Sequence, residues 1–150
     1  MADLRELYQQ VILDHYKNPR NYGRLESATQ QVEGYNPLCG DHYTIFVDLD
    51  DATIRDISFD GSGCAISKAS ASVMSSSVKG KSREEAEEMF RKFRELMMGE
   101  GVSEEEAEKL GRLAAFLGVR EHPSRIKCAT LAWHALHTAL TGEGEVASTE

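Results

Sequence analysis

The chain of 150 residues has no long apolar run, no excess of positive charge and only three cysteines. No apolar run approaches the roughly 18 residues that a membrane-spanning helix needs, so we expect no membrane partner. The first residues lack the apolar core of a secretion signal, which favours a cytoplasmic location. Lys and Arg number 17 against 25 Asp and Glu, a formal net charge of -8, and this balance argues against a nucleic-acid partner.

The composition is otherwise that of an ordinary globular protein. Hydrophobic residues make up 41% and charged residues 28% of the chain, which excludes a wholly disordered or fibrous protein. The length allows one domain with a substantial core and is too short for two domains of typical size. We therefore expect a single domain over residues 1–141, followed by a polar, flexible tail over residues 142–150.

Local patterns predict an α+β fold with a small antiparallel β-sheet and helices packed on one side of it. Apolar spacing and capping signals predict helices at 3–17, 65–78, 83–98, 104–117 and 126–140, with Gly118 as a stop signal. Alternation and turn residues predict strands at 29–33, 42–48 and 53–60.

The three cysteines and one aspartate carry the chemistry. Because residues two apart in extended chain project to one side, Cys39 and Asp41 can converge on one metal ion. Cys64 directly precedes one predicted helix, and Cys128 falls in the first turn of the last predicted helix. Unsatisfied N–H groups at a helix start favour the thiolate form of a cysteine. Together these residues supply the four donors that zinc prefers. Each cysteine is equally consistent with a small buried apolar residue, and the residues alone leave both interpretations open.

The histidines and the tryptophan have simpler interpretations. His42 should lie on the opposite strand face from Asp41, at the surface. Three further histidines fall within predicted helices and are interpreted as ordinary helix-face residues, namely His15, His134 and His137. Trp133 should anchor the packing of the core.

Several segments, in order along the chain, resemble the NifU/IscU-like iron–sulfur assembly family. They are residues 8–21, Asn36-Pro37-Leu38-Cys39-Gly40-Asp41, the stretch from Phe59 to Ser67, Ala69-Ser70-Ala71-Ser72, and the stretch from Arg125 to Leu131. The resemblance covers almost the whole chain.

Three features resemble the SufU branch of that family more than IscU scaffolds. Lys127 stands where those scaffolds have a histidine before the third cysteine, and residues 122–127 do not reproduce their proline-rich chaperone-recognition segment. The helical stretch of about 80–118 is also longer than in such scaffolds, and we treat it as an insertion within the domain.

The resemblance implies a zinc-dependent sulfurtransferase that works with a cysteine desulfurase and passes sulfur to a downstream cluster-assembly complex. It implies Cys39 as the catalytic sulfur acceptor, and Zn²⁺ held by Cys39, Asp41, Cys64 and Cys128. The alternative is an IscU-type scaffold that assembles a [2Fe–2S] cluster on the same ligands, since thiolates suit both metals.

A site with three thiolates, one carboxylate and Zn²⁺ has a formal charge of about -2, which favours nearby cations. Arg125 and Lys127 flank Cys128 in sequence and are candidates for that role and for contact with the desulfurase. The plainer interpretation is an exposed basic pair. Because four protein ligands leave zinc no open position, we hypothesise that Cys39 leaves the metal on docking and attacks the desulfurase persulfide.

Overall fold

A computed structural model of the protein describes residues 4–37, 40–98, 111–142 and 146–148. The helices are α1 (Leu4–Lys17), α2 (Ala65–Val78), α3 (Arg83–Met97), a 3₁₀ helix (Gly111–Glu121) and α4 (Pro123–Thr141). The strands are β1 (Gln30–Asn36), β2 (Asp41–Asp50), β3 (Thr53–Ser62) and β4 (Val146–Ser148). None of the helices described in these ranges is both long enough and apolar enough to cross a membrane.

The four strands form one sheet in the order β3-β2-β1-β4, and helices cover one of its faces. The β1–β2 and β2–β3 pairs are antiparallel, as the short connections predict. Tyr43, Ile45 and Val47 alternate along β2 and are buried in the main hydrophobic cluster, so the period-two pattern identified the inner face correctly. Helix α4 packs on β1 and β2, and α2 packs on β3. The predicted α+β class and the one-sided helical layer are confirmed.

Helix α2 is the centre of the helical layer, between α1 and α4. Its boundaries agree with the sequence prediction, and small residues such as Ala69 and Ala71 let the neighbouring helices approach closely. Its buried serines find partners: the Ser70 hydroxyl donates to the Ala129 carbonyl, and Ser72 Oγ accepts from the Arg20 backbone N–H at 2.8 Å. Buried hydroxyls without such partners would destabilise the helix pair.

His15 on α1 is buried, with 1% of its surface exposed, and faces the same serine. Burial lowers the pKa of His15 to about 4, so the imidazole is neutral near pH 7. Its Nδ1 lies 2.7 Å from Ser72 Oγ, which holds α1 on α2. Trp133 is also fully buried and packs against Phe90 and Phe93, which confirms it as a core anchor.

The helix predicted over 104–117 is not borne out where the structure describes it. Residues 104–110 lie outside the described residues, and from Gly111 onward the chain forms the 3₁₀ helix, which continues past the predicted stop at Gly118. With three residues per turn, Leu113, Phe116 and Val119 lie on one face, and all three are buried. A spacing of three between apolar residues suits a 3₁₀ helix as well as an α-helix, so the sequence pattern did not distinguish the two.

The tail prediction is also wrong in part, because Val146–Ser148 form a strand that pairs in parallel with β1. Strand β1 would otherwise present an unpaired edge, and β4 supplies partners for its backbone groups. The pairing joins residues more than a hundred positions apart, so no local pattern could reveal it. Residues 143–145, 149 and 150 lie outside the described residues.

Candidate metal centre

Three of the four predicted metal ligands meet in the structure. The ligand atoms of Asp41, Cys64 and Cys128 all lie within 4.8 Å of one another. They come from the start of β2, the start of α2 and the second turn of α4. Cys39, the fourth predicted ligand and the predicted sulfur acceptor, lies outside the described residues.

Asp41 is 1% exposed and forms a Cα pair with Asn36, where β1 and β2 meet. Its carboxylate is surrounded by donors. Oδ1 accepts from the Cys64 backbone N–H at 2.8 Å and from the Ser67 hydroxyl at 3.1 Å, and Oδ2 accepts from Asn36 Nδ2 at 3.1 Å. Three hydrogen bonds hold the carboxylate in a fixed orientation, which is what a preorganised ligand requires.

Cys64 is the N-cap of α2, as its position after Gly61-Ser62-Gly63 predicts. Its Sγ accepts a hydrogen bond from the Ser67 backbone N–H at 3.4 Å. The sulfur thus satisfies one of the N–H groups that the first turn of α2 leaves without a helical partner. Cys64 is partly exposed, whereas Asp41 and Cys128 are buried.

Cys128 is placed differently from the prediction, because α4 begins at Pro123 and not at Ile126. Cys128 therefore lies in the second turn, where its Sγ is 3.8 Å from the Ser124 carbonyl, and the helix-terminus argument does not apply to it. Its sulfur instead accepts a hydrogen bond from Asn36 Nδ2 at 3.3 Å. A proline at the first helical position is a common start signal, and it marks the true start here.

The loop before Cys64 is shaped by glycine. A Cβ at Gly63 would lie 2.5 Å from Asp41 Oδ1 and 2.6 Å from Ser67 Oγ, well inside van der Waals contact. Gly61 has φ +129, and a Cβ there would lie 2.2 Å from the His42 carbonyl oxygen. Gly63 therefore lets the β3–α2 loop close around the carboxylate, and Gly61 lets the end of β3 approach the backbone of β2.

Tyr43 and Ser67 extend the hydrogen-bond network inward. The Tyr43 hydroxyl lies 3.2 Å from Ser67 Oγ, and burial, together with the charges of Asp41 and Cys64, raises the pKa of Tyr43. The phenol therefore stays neutral and can donate. The sequence reasoning missed three residues of this network, Asn36, Tyr43 and Ser67. The signals were an Asn directly before Pro37 in the first cysteine motif and a Ser three positions after an N-cap.

The remaining polar candidates lie apart from the cluster or beside it in sequence. His42 is exposed on the opposite strand face from Asp41, as predicted. Its ring stacks on that of Tyr35, with 4.2 Å between the ring centroids. His137 Nδ1 lies 2.7 Å from Glu87 Oε2 on α3. Arg125 is exposed and Lys127 is half-buried, three residues and one residue before Cys128.

The donor set fits a zinc ion. Two thiols and a carboxylate are zinc ligands, and atoms around one tetrahedral zinc lie about 3.5–3.8 Å apart. Donors already within 4.8 Å need only a small contraction to reach that spacing. A fourth donor would complete the site, and the position of Cys39 two residues before Asp41 makes its thiol the candidate.

The fold and these residues define a known class of protein domain. Residues 7–129 match the model of the NifU-like N terminal domain, so the chain belongs to that family, and the predicted resemblance is confirmed. The chain is 44% identical over 142 residues to the zinc-dependent sulfurtransferase SufU of Bacillus subtilis (strain 168), covering 95% of each chain.

Two further relatives are similar along most of their length. The iron–sulfur cluster assembly scaffold protein IscU of Streptococcus pyogenes serotype M1 is 43% identical over 141 residues, covering 93% of this chain and 86% of that protein. A crystal structure from Fervidobacterium islandicum AW-1, of a candidate iron–sulfur cluster assembly scaffold protein for the SUF system, superposes with a TM-score of 0.81. It is 37% identical and covers 87% of this chain and 94% of that one.

Proposed function

We propose that this protein is an iron–sulfur cluster assembly protein that accepts sulfur from a cysteine desulfurase through Cys39 and passes it to the cluster-assembly machinery. The observation that carries the proposal is the convergence of Asp41, Cys64 and Cys128 within 4.8 Å. The similarity to the SufU of Bacillus subtilis, which is named as zinc-dependent, supports zinc as the ion.

The chain's own residues supply the parts of the reaction. Cys39, Asp41, Cys64 and Cys128 would hold Zn²⁺, which when bound keeps thiols deprotonated near neutral pH. The Cys39 thiolate attacks the terminal sulfur of a persulfide on the desulfurase. A new S–S bond forms to Cys39 as the old S–S bond breaks, and the desulfurase cysteine leaves as a thiolate, so no outside oxidant is needed.

Cys39 is the best acceptor of the three cysteines because of where the chain places the others. Cys64 and Cys128 are fixed at the start of α2 and inside α4. In sequence, Cys39 falls between the end of β1 and the start of β2 and precedes Gly40, whose φ of +70 is a conformation that favours glycine. We propose that Arg125 and Lys127 offset the negative charge of the metal site or contact the desulfurase.

A second candidate function is that of a scaffold for a [2Fe–2S] cluster. The observation in its favour is the 43% identity to a protein named as an IscU scaffold. Cysteine thiolates bind both metals, so the donor set alone does not separate the two functions.

Transfer of sulfur-35 from labelled cysteine through a purified desulfurase tests the proposal. We expect the protein to be purified with zinc and without a visible chromophore, and to acquire the label. After chelation and removal of the metal, labelling should slow at least about tenfold, because only a few per cent of an ordinary thiol is thiolate at pH 7.

Adding zinc back should restore the rate, which controls for damage during chelation. A brown chromophore after anaerobic purification, together with no protein-bound label, would favour the scaffold. Labelling that is rapid with or without metal would contradict a role for the metal in transfer.

A further inference from the structure

Asn36 contacts two of the candidate ligands with a single amide group. Its Nδ2 lies 3.1 Å from Asp41 Oδ2 and 3.3 Å from Cys128 Sγ. An amide nitrogen carries two hydrogens, so one can be given to each ligand. Asn36 is 1% exposed at the end of β1, and Cys128 is 92 residues further along the chain. One side chain thus joins ligands from the sheet and from α4.

The orientation of this amide follows from its neighbours. If the amide were flipped, its oxygen would face the carboxylate of Asp41, and an ionised carboxylate accepts hydrogen bonds but has none to donate. Only the N–H₂ group satisfies both contacts. Hydrogen bonds of this kind to charged acceptors are stronger than those between neutral groups.

The hydrogen bonds of Asp41 also distinguish its two oxygens. Oδ1 already accepts two hydrogen bonds, from the Cys64 N–H and the Ser67 hydroxyl, and these match its two lone pairs. Oδ2 accepts only the bond from Asn36 among the described residues, so it keeps a lone pair for a metal ion.

We propose that Asn36 is a positioning residue for the metal centre, which clamps Asp41 and Cys128 together so that Asp41 binds the ion through Oδ2 alone. This inference rests on the proposed metal site and not on sulfur transfer. Asn36 would set how tightly zinc is held without itself being a ligand. Removing such an outer partner of a metal ligand lowers metal affinity by about 10–100-fold.

Zinc affinity, measured by competition with a chromophoric chelator, tests the proposal on two variants. Asn36→Asp keeps the shape of the side chain and removes both N–H donors, and Asn36→Ser removes the amide and is too short to reach both ligands. We expect each to bind zinc about 10–100-fold more weakly than the unchanged protein. Circular dichroism of the zinc-free proteins checks that each variant is folded before the comparison is made.

Asn21→Asp is the matched control. It makes the same amide-to-carboxylate change at a half-buried asparagine, whose Nδ2 donates to Ser75 Oγ at 3.0 Å rather than to a candidate ligand. We expect a loss of thermal stability, because Ser75 loses a donor, with zinc affinity within about threefold of the unchanged protein. If Asn21→Asp weakens zinc binding as much as Asn36→Asp, or if both Asn36 variants retain full affinity, the proposal is wrong.

The outcome also separates this inference from the proposed function. If the unchanged protein binds no zinc, the metal site itself fails. If it binds zinc tightly and the Asn36 variants do so equally, the site stands and only the role of Asn36 is rejected. A rise in zinc affinity in Asn36→Asp alone would show that the new carboxylate acts as a ligand. The zinc affinity of Asn36→Ser then decides whether the proposal holds.

Discussion

Replacing Cys39 by alanine should abolish sulfur acceptance, and we expect labelling by the desulfurase to fall by at least about a hundredfold. Alanine has no nucleophile to form the new S–S bond. Cys64 is fixed at the start of α2 by a hydrogen bond from the Ser67 backbone N–H, and Cys128 is fixed inside α4 by a hydrogen bond from Asn36. The rate of label transfer from sulfur-35 cysteine measures the effect. The measurement should be made with excess zinc, so that weaker zinc binding by the variant does not account for the loss of labelling.

His42→Ala provides the control for this variant. His42 is three residues from Cys39, exposed and on the opposite face of β2 from Asp41, and its contacts are with Tyr35 and Glu33. We expect its labelling rate to remain within about twofold of the unchanged protein, as is usual for surface substitutions. A Cys39→Ala protein that acquires the label at the normal rate would show that sulfur transfer does not use this residue.

Substituting Gly63 by alanine should damage the site although it removes no ligand. The added Cβ would meet Asp41 Oδ1 at 2.5 Å, Ser67 Oγ at 2.6 Å and the Tyr43 hydroxyl at 2.8 Å. The Asp41 carboxylate must move, and its Oδ2 atom, which Asn36 orients for metal binding, moves with it. We expect a loss of about 1–3 kcal/mol in the free energy of unfolding from overpacking. Zinc affinity should fall by at least about tenfold, as when a partner of a ligand is lost.

Gly118→Ala is the matched control, because a Cβ there meets nothing within 4 Å and the residue is exposed. Its stability should change by no more than about 0.5 kcal/mol, and its zinc affinity should be unchanged. Urea unfolding and chelator competition measure both quantities. Equal behaviour of the two glycine variants would show that the packing around Asp41 does not control the metal site.

Much of the fold was predictable because its signals are local. The alanine- and serine-rich run after Gly63 identified the limits of α2, and alternation along β2 identified its inner residues. The missed features depend on contacts distant in sequence. Strand β4 exists because β1 has a free edge, and the 3₁₀ helix follows a spacing of three that also suits an α-helix.

Three of the four predicted ligands, Asp41, Cys64 and Cys128, lie together in the structure, whereas the network that supports them was not predicted. Residue type and spacing suggested a shared site, and the family resemblance implied the ligand set. The start of α4 was predicted at residue 126 from the apolar stripe, although the proline start signal lies at Pro123. Cys128 was therefore predicted in the first turn of the helix, whereas it lies in the second. The role of Asn36 was not predicted, because nothing local in the sequence shows that its amide reaches Cys128 on α4.

X-ray absorption at the zinc K-edge of the protein as purified tests whether Cys39, Asp41, Cys64 and Cys128 hold zinc. We expect one zinc per chain, bound by about three sulfur atoms at about 2.3 Å and one oxygen at about 2.0 Å. In Asp41→Ala the three sulfur atoms should remain in the zinc shell, with a water oxygen in place of the carboxylate, and the zinc should be bound more weakly. A shell made only of nitrogen and oxygen, or a site that contains iron and no zinc, would contradict the account.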